Sequence, residues 1–124
     1  MAKIFKEEVR RPEFERDLKH LAKKFPSLPD DLETLVSTSL NLYHKLEIKH
    51  DGIKRIENLG VDRPQIFKVL KFACRALKGR GAKSGLRLIY AYYPDLDKIE
   101  FVEVYFKADR VNENRARILG LYKS

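Results

Sequence analysis

Beyond Pro12 the apolar residues Phe14, Leu18, Leu21, Ala22 and Phe25 recur at helical spacing along an otherwise charged stretch. That is the stripe of an amphipathic helix. Pro12 suits its first turn, and Pro26 ends it because proline cannot continue the hydrogen-bond ladder. Pro29, Asp30, Asp31 and Glu33 then suit the N-terminus of a second helix, whose stripe is Leu32, Leu35, Val36, Leu40 and Tyr43. Together they predict an antiparallel helical hairpin over about residues 12–44. Ahead of it, "AKIFKEEV" alternates around Ile4 and reads as a first strand.

Residues 45–65, with two glycines, a proline and scattered charges, predict a loop-rich insertion with a helical turn over Ile53 to Leu59. Three β-like runs follow. "IFKVLKF" (66–72) is rich in β-branched and aromatic residues, and "LRLIYAYY" (86–93) is apolar enough for a central strand covered on both faces. "KIEFVEVYFK" (98–107) alternates, with Glu100, Val102, Val104 and Phe106 on one side and Ile99, Phe101, Glu103, Tyr105 and Lys107 on the other. The link "PDLD" makes the last two runs a hairpin. "NENRARILGLYK" closes the chain as a helix over about 112–122, with Ile118, Leu119 and Tyr122 as its apolar contacts. This order predicts one α+β domain over 1–124: an antiparallel sheet of about four strands, its basic part spanning 66–107, packed against the hairpin.

Composition narrows the class. At 124 residues and 44% hydrophobic, the chain suits a single core. No apolar run approaches the roughly 18 residues a membrane span needs. The N-terminus alternates charge where a signal peptide needs an apolar region, so the expected location is cytoplasmic, with no membrane partner. Cys74 is the only cysteine, which excludes an internal disulfide and a cysteine-based zinc site and suits a small buried hydrophobe.

Net charge is +8, and its location matters more than its size. Between Arg63 and Pro94 lie eight of the 26 lysines and arginines and none of the 18 acids, so the rest of the chain is balanced. A positive field concentrated in this way attracts polyanions. Within that quarter, "KGRGAKSG" invites comparison with phosphate-binding loops. The P-loop pattern fails because Lys83-Ser84 precedes a glycine and a strand follows, and the second gap of G-x-G-x-x-G is one residue too long. No nucleotide cofactor is expected, and the glycines serve to turn the chain.

The cations are the stronger signal. Lys68, Lys71, Arg75, Lys78, Arg80, Lys83 and Arg87 lie on one strand, its exit loop and the start of the next, where antiparallel pairing gathers them into one patch. Arg87 falls inside the most apolar strand. A guanidinium there either pairs with an acid, Glu100 or Glu103 being within reach on the neighbouring strand, or faces a groove built for anions. His20, His44 and His50 lie outside the basic quarter without ligand spacing, and clustered carboxylates are absent from it, so no metal site is expected. What remains is cation-driven chemistry on a phosphodiester, with a lysine as base and an arginine stabilising transition-state charge.

The run from "FKVLKFACRALKGRGAKSGLRLIYAYY" to "DKIEFVEVYFKADRVNENRARI" resembles the C-terminal sheet of the RelE/ParE superfamily of bacterial and archaeal toxins. A strand with spaced cations leads through a small-residue loop to G-x-R-[LIV]-[LIV]-Y, then to an apolar strand ending in Y-x-K, with the helical hairpin matching the N-terminal half. The resemblance implies a RelE-like toxin of a type II toxin–antitoxin system. Ribosome-dependent members cleave mRNA without metal, through attack of the 2′-hydroxyl on the adjacent phosphate. Carried over by position, Arg87 is the transition-state stabiliser, Lys68 contacts the phosphate or takes the 2′-hydroxyl proton, and Lys107 and Arg110 are the basic groups after the last strand. Lys71, Arg75, Lys78, Arg80 and Lys83 would bind nucleic acid. The implied partners are a small acidic or amphipathic antitoxin with a DNA-binding half, the ribosome and mRNA.

The chain departs from the family pattern in two places. Alternation puts Leu70 beside Lys68 where active members carry a second cation, with Lys71 reaching that face only through a bulge. The tail after Arg110 holds Asn112 and Asn114 but no histidine or tyrosine to act as general acid. Two other readings stay open: a ParE-like inhibitor of DNA gyrase, needing no catalytic cations, and a non-enzymatic RNA-binding domain in which Tyr90, Tyr92 and Tyr93 stack bases. Against the latter, those tyrosines equally suit a core.

Overall fold

The computed structural model describes residues 4–77 and 84–123. Its frame is a five-stranded sheet in the order β1-β5-β4-β3-β2. The strands are β1 (Glu7–Arg10), β2 (Ile53–Arg55), β3 (Gln65–Val69), β4 (Leu86–Tyr93) and β5 (Lys98–Phe106). The neighbours β5-β4-β3-β2 are antiparallel, but β1 runs parallel to β5, so the sheet is mixed rather than antiparallel and has a strand more than the pattern suggested. The extra strand is β2. Ile53 is buried and turns toward the core while Lys54 and Arg55 pair along the edge of β3, which displaces the expected helical turn. β3 is also shorter than 66–72. Beyond Val69 the backbone N–H groups of Leu70 and Lys71 both donate to the Gly52 carbonyl, and the chain leaves the sheet.

One face of the sheet carries the helical hairpin. α1 (Pro12–Lys24) buries Phe14, Leu18 and Leu21, and the chain turns at Phe25 before α2 (Leu28–Leu35). The second helix then widens into a π-helical segment, Val36–Lys45, in which Leu46 N–H reaches back to the Asn41 carbonyl. These helices bury Phe14, Leu28, Leu32 and Leu40 against Phe67, Val69, Leu86, Leu88, Tyr90, Phe101 and Val104 of the sheet. Burying side chains of this size against each other is worth on the order of 2 kcal/mol apiece. The opposite face is smaller: Ile66, Ile89, Ala91, Val102 and Tyr105 lie under Ile118 of α3 (Arg115–Tyr122) and Leu59 of the 56–64 loop. α3 starts at Arg115, later than expected, because the Asn114 side chain caps it by accepting the Arg117 N–H at 3.0 Å.

A β-bulge decides which β5 residues meet which face. The β4–β5 register shifts between Ile89 and Tyr90, which pair with Glu103 and Phe101 respectively, leaving Val102 as the extra residue. Val104 consequently packs with Phe101 on the helical face, while Val102 and Tyr105 pack together on the other. The simple alternation, which set Val104 beside Val102 and Glu103 beside Phe101, is corrected by this one residue.

β1 is short and covers only Lys98 to Phe101, so the rest of β5 is a sheet edge. An open edge needs protection. Asp17 of α1 accepts the Val104 N–H at 3.4 Å, and Arg117 of α3 donates to the Val102 carbonyl at 3.0 Å. Arg117 and Asp17 also bond each other at 2.7 Å, clasping the two faces around the strand.

Candidate functional site

The smaller face, beyond the reach of α3, brings together Lys68, Arg87 and Arg110, three of the four cations expected to act on the phosphodiester (the fourth being Lys107). Tyr105 is their centre. Arg87 is its direct partner across the β4–β5 pair, the Lys68 ammonium lies 5.9 Å from its ring centroid, and the Arg110 guanidinium lies 5.0 Å from it. β3 presents Lys68 two residues before Leu70, whose carbonyl accepts from Arg87 Nη1 at 3.0 Å; the Leu86 carbonyl accepts from the same nitrogen at 3.2 Å. Among the described residues Arg87 therefore has backbone carbonyls for company and no carboxylate.

Neither acid expected to meet Arg87 does so. Glu103 is fully buried; Arg110 pairs with its Oε2 while the Asn114 N–H donates to Oε1 at 2.8 Å. The bulge is what turns Glu103 to this face. Glu100 takes Arg11 at 3.1 Å, Lys98 at 3.2 Å and the Tyr122 hydroxyl at 2.8 Å. Burial pushes the Glu100 carboxyl up, but those three partners outweigh it and hold the group below its usual value. Tyr122 is in turn raised by burial and by the carboxylate it donates to.

Lys68 is not free either. Glu113, from the turn ahead of α3, accepts from its ammonium at 3.2 Å, the two side chains being 9% and 17% exposed. Burial raises the Glu113 carboxyl, while a backbone hydrogen bond and Lys68 bring it below normal. Directly across from Lys68 stands Lys54 on β2. Cations facing each other at cross-strand distance repel, so the pair calls for an anion, and Glu113 supplies one. The pattern gave no sign of Lys54, because a three-residue edge strand has too few positions to show a period.

Lys107 lies past the end of β5, exposed, its backbone N–H donating to the Gly85 carbonyl at 2.8 Å. It shares no ion pair with another described residue. Of the residues proposed to bind nucleic acid, Lys78, Arg80 and Lys83 lie outside the described residues. Lys71 is turned away from Lys68 and pairs with Asp51 at 2.7 Å, without the bulge that would have brought it round. Arg75 is an anchor for the chain after β3: its Nε donates to the buried Asp31 at 2.9 Å and its backbone N–H donates to the same carboxylate at 3.0 Å. The Asp31 carboxyl is pushed up by burial, yet hydrogen bonds from Ser27 and Arg75 bring it below normal.

Tyr90 and Tyr92 are core residues, packed with Phe5, Phe67 and His44. Tyr93 is half-buried beneath Arg63 and Lys98, at 5.6 and 5.1 Å from its ring centroid. A three-tyrosine stacking platform is thus not formed. Cys74 is buried as expected. Beside Arg110 and Tyr105, a cavity of about 350 Å³ opens between α1 and the exit of β5, within the size range of small-ligand sites.

No family model, curated protein or solved structure matches the chain. Among the described residues no helix is long and apolar enough to cross a membrane. What fold and site define is an α+β domain with a cluster of cations around one buried tyrosine.

Proposed function

We propose that the chain is a RelE-like toxin that cuts ribosome-bound mRNA without metal and is held in check by a small acidic antitoxin. The observation that carries this reading is Arg87: an arginine in the most apolar strand, without a carboxylate among the described residues, next to Lys68 and Arg110 around one tyrosine. In the reaction the 2′-oxygen bonds to the adjacent phosphorus and the bond from phosphorus to the 5′-oxygen breaks, the departing oxygen taking a proton from water, leaving a 2′,3′-cyclic phosphate and a 5′-hydroxyl. Arg87 would stabilise the added negative charge, and Lys68, once released by Glu113, would contact the phosphate or take the 2′-proton. Lys107 and Arg110 would hold the flanking backbone.

Induction of the chain is expected to stop growth and to produce codon-positioned breaks in mRNA in a translation extract. Arg87→Ala and Lys68→Ala are each expected to lower the cleavage rate by orders of magnitude. A second reading is favoured by one observation: Lys68 and Arg110 are both already paired with acids, as suits cations with no catalytic task. A ParE-like gyrase inhibitor would leave mRNA intact, block DNA replication and tolerate both alanine substitutions.

A further inference from the structure

Tyr105 is 4% exposed and its hydroxyl has no hydrogen-bond partner among the described residues. Leaving a buried hydroxyl unsatisfied is costly, and a native fold keeps such a group where a ligand or a moving part completes it. The surroundings say which ligand. Lys68 and Arg110 lie against the ring and Arg87 is its cross-strand neighbour, so the unpartnered hydroxyl sits on a ring flanked by two cations, with a third on the adjacent strand. That is a site for an oxyanion with several acceptor oxygens.

One anion already stands at its rim. The Glu113 carboxylate occupies Lys68, and the segment bearing it is tied down at Glu103 through Arg110 and the Asn114 N–H. Glu113 answers the Lys54–Lys68 repulsion but gives the Tyr105 hydroxyl nothing.

Resting on the reading above, we propose that Tyr105 is a substrate-binding residue whose hydroxyl bonds an RNA phosphate oxygen after that phosphate displaces Glu113 from Lys68. The phosphate brings more acceptor oxygens than the carboxylate, enough to bridge the ammonium and the hydroxyl together. Glu113 is then an internal competitor for the site, and the turn at 107–114 is the part that must shift.

The test uses full-length chain and a short single-stranded RNA carrying 2′-O-methyl groups, which binds but cannot be cut. Tyr105→Phe removes only the unpartnered oxygen, so its Tm should equal or exceed that of the unsubstituted chain, while its RNA affinity should fall about tenfold or more. Glu113→Gln should move affinity the other way, tightening binding about tenfold, with Lys68→Met abolishing that gain. A Tyr105→Phe chain that binds as tightly as the original, or that is clearly less stable, overturns the inference, since the hydroxyl would then be idle or already satisfied internally. If the original chain binds RNA and loses it on Arg87→Ala while Tyr105→Phe changes nothing, only this inference falls. If neither the original chain nor Glu113→Gln binds RNA, this inference falls, and the nuclease reading is decided separately by cleavage of mRNA in the translation extract.

Discussion

His44 offers a test of the core that needs no knowledge of the ligand. It sits on the π-helical segment, enclosed by Phe5, Tyr43, Phe67, Tyr90 and Tyr92, and shares a 2.6 Å hydrogen bond between Nε2 and the Tyr90 hydroxyl. Burial disfavours the imidazolium and lowers its pKa from 6.5 to about 4. Between those values the unfolded chain binds a proton at this position and the folded chain does not, so stability rises with pH across the window. The contribution is intact above about pH 6.5 and is lost as pH falls toward 4. Each pH unit within the window removes about 1.4 kcal/mol, so the loss reaches about 2 kcal/mol at pH 5 and about 3 kcal/mol near pH 4. Against a total stability of about 5–15 kcal/mol, that is a large fraction.

The assay is urea unfolding at half-unit steps from pH 7.5 to 5, for the chain and for His44→Gln. Glutamine can still accept from Tyr90 but does not titrate. The lower limit keeps Asp31, Glu100 and Glu113 ionised, since all three are held below their usual values and titrate at more acid pH. The original chain should lose about 2 kcal/mol more than the variant over this range. Parallel curves, or an imidazole that titrates near 6.5 by NMR, would refute the reasoning.

Other positions give independent checks. Gly85 has φ +87°, and a Cβ there would meet Phe106 at 3.2 Å; Gly85→Ala should cost about 1–2 kcal/mol in urea unfolding, with Gly85→Asn milder. Asp31→Ala removes the acceptor that holds Ser27 and the chain at Arg75, so Tm should fall by several degrees and amides around residues 74–77 should lose hydrogen-exchange protection. Glu103→Ala leaves the Asn114 N–H without its acceptor and frees Arg110; a loss of about 2 kcal/mol is expected, and an unchanged Tm would mean that the turn is not held there. Arg117→Met uncovers the Val102 carbonyl on the open edge of β5, which should appear as concentration-dependent association by light scattering.

How far the sequence could be read depended on how local each feature is. The hairpin over 12–44 and the strands in 66–72, 86–93 and 98–107 follow from runs of Leu, Phe, Val and Tyr whose period belongs to the segment itself. β1 was legible only in part: the run expected as a strand was 2–9 around Ile4, the strand is Glu7–Arg10, and nothing within it records that its neighbour is the parallel β5. β2 was missed because three residues carry no period, and with it went Lys54. The bulge at Val102 was equally invisible, and it changed the partners of the site: it aimed Glu103 at Arg110 and left Arg87 on carbonyls. Lys68, Arg87 and Arg110 were expected to share a site and do lie near one another; Tyr105 and Glu113, which give the cluster its centre and its internal anion, became apparent only in three dimensions.

The surplus of charge illustrates the same limit and sharpens what the site can do. A quarter of the chain without acids need not be without acids in space. Arg63 meets Asp95, Lys68 meets Glu113, Lys71 meets Asp51 and Arg75 meets Asp30 and Asp31, each acid drawn from outside the basic stretch. Exposed pairs such as Lys71–Asp51 are weak and exchange readily for a phosphate, so they leave the polyanion attraction of a +8 chain in place without locating it. The pair that discriminates is Lys68–Glu113, because both side chains are largely withdrawn from water and separating them costs more than separating a surface pair. A ligand that merely adds charge gains little there. One that returns an anion to Lys68 and an acceptor to Tyr105 recovers both losses together, and that makes the buried cluster, not the basic surface, the place where specificity for a phosphodiester would arise.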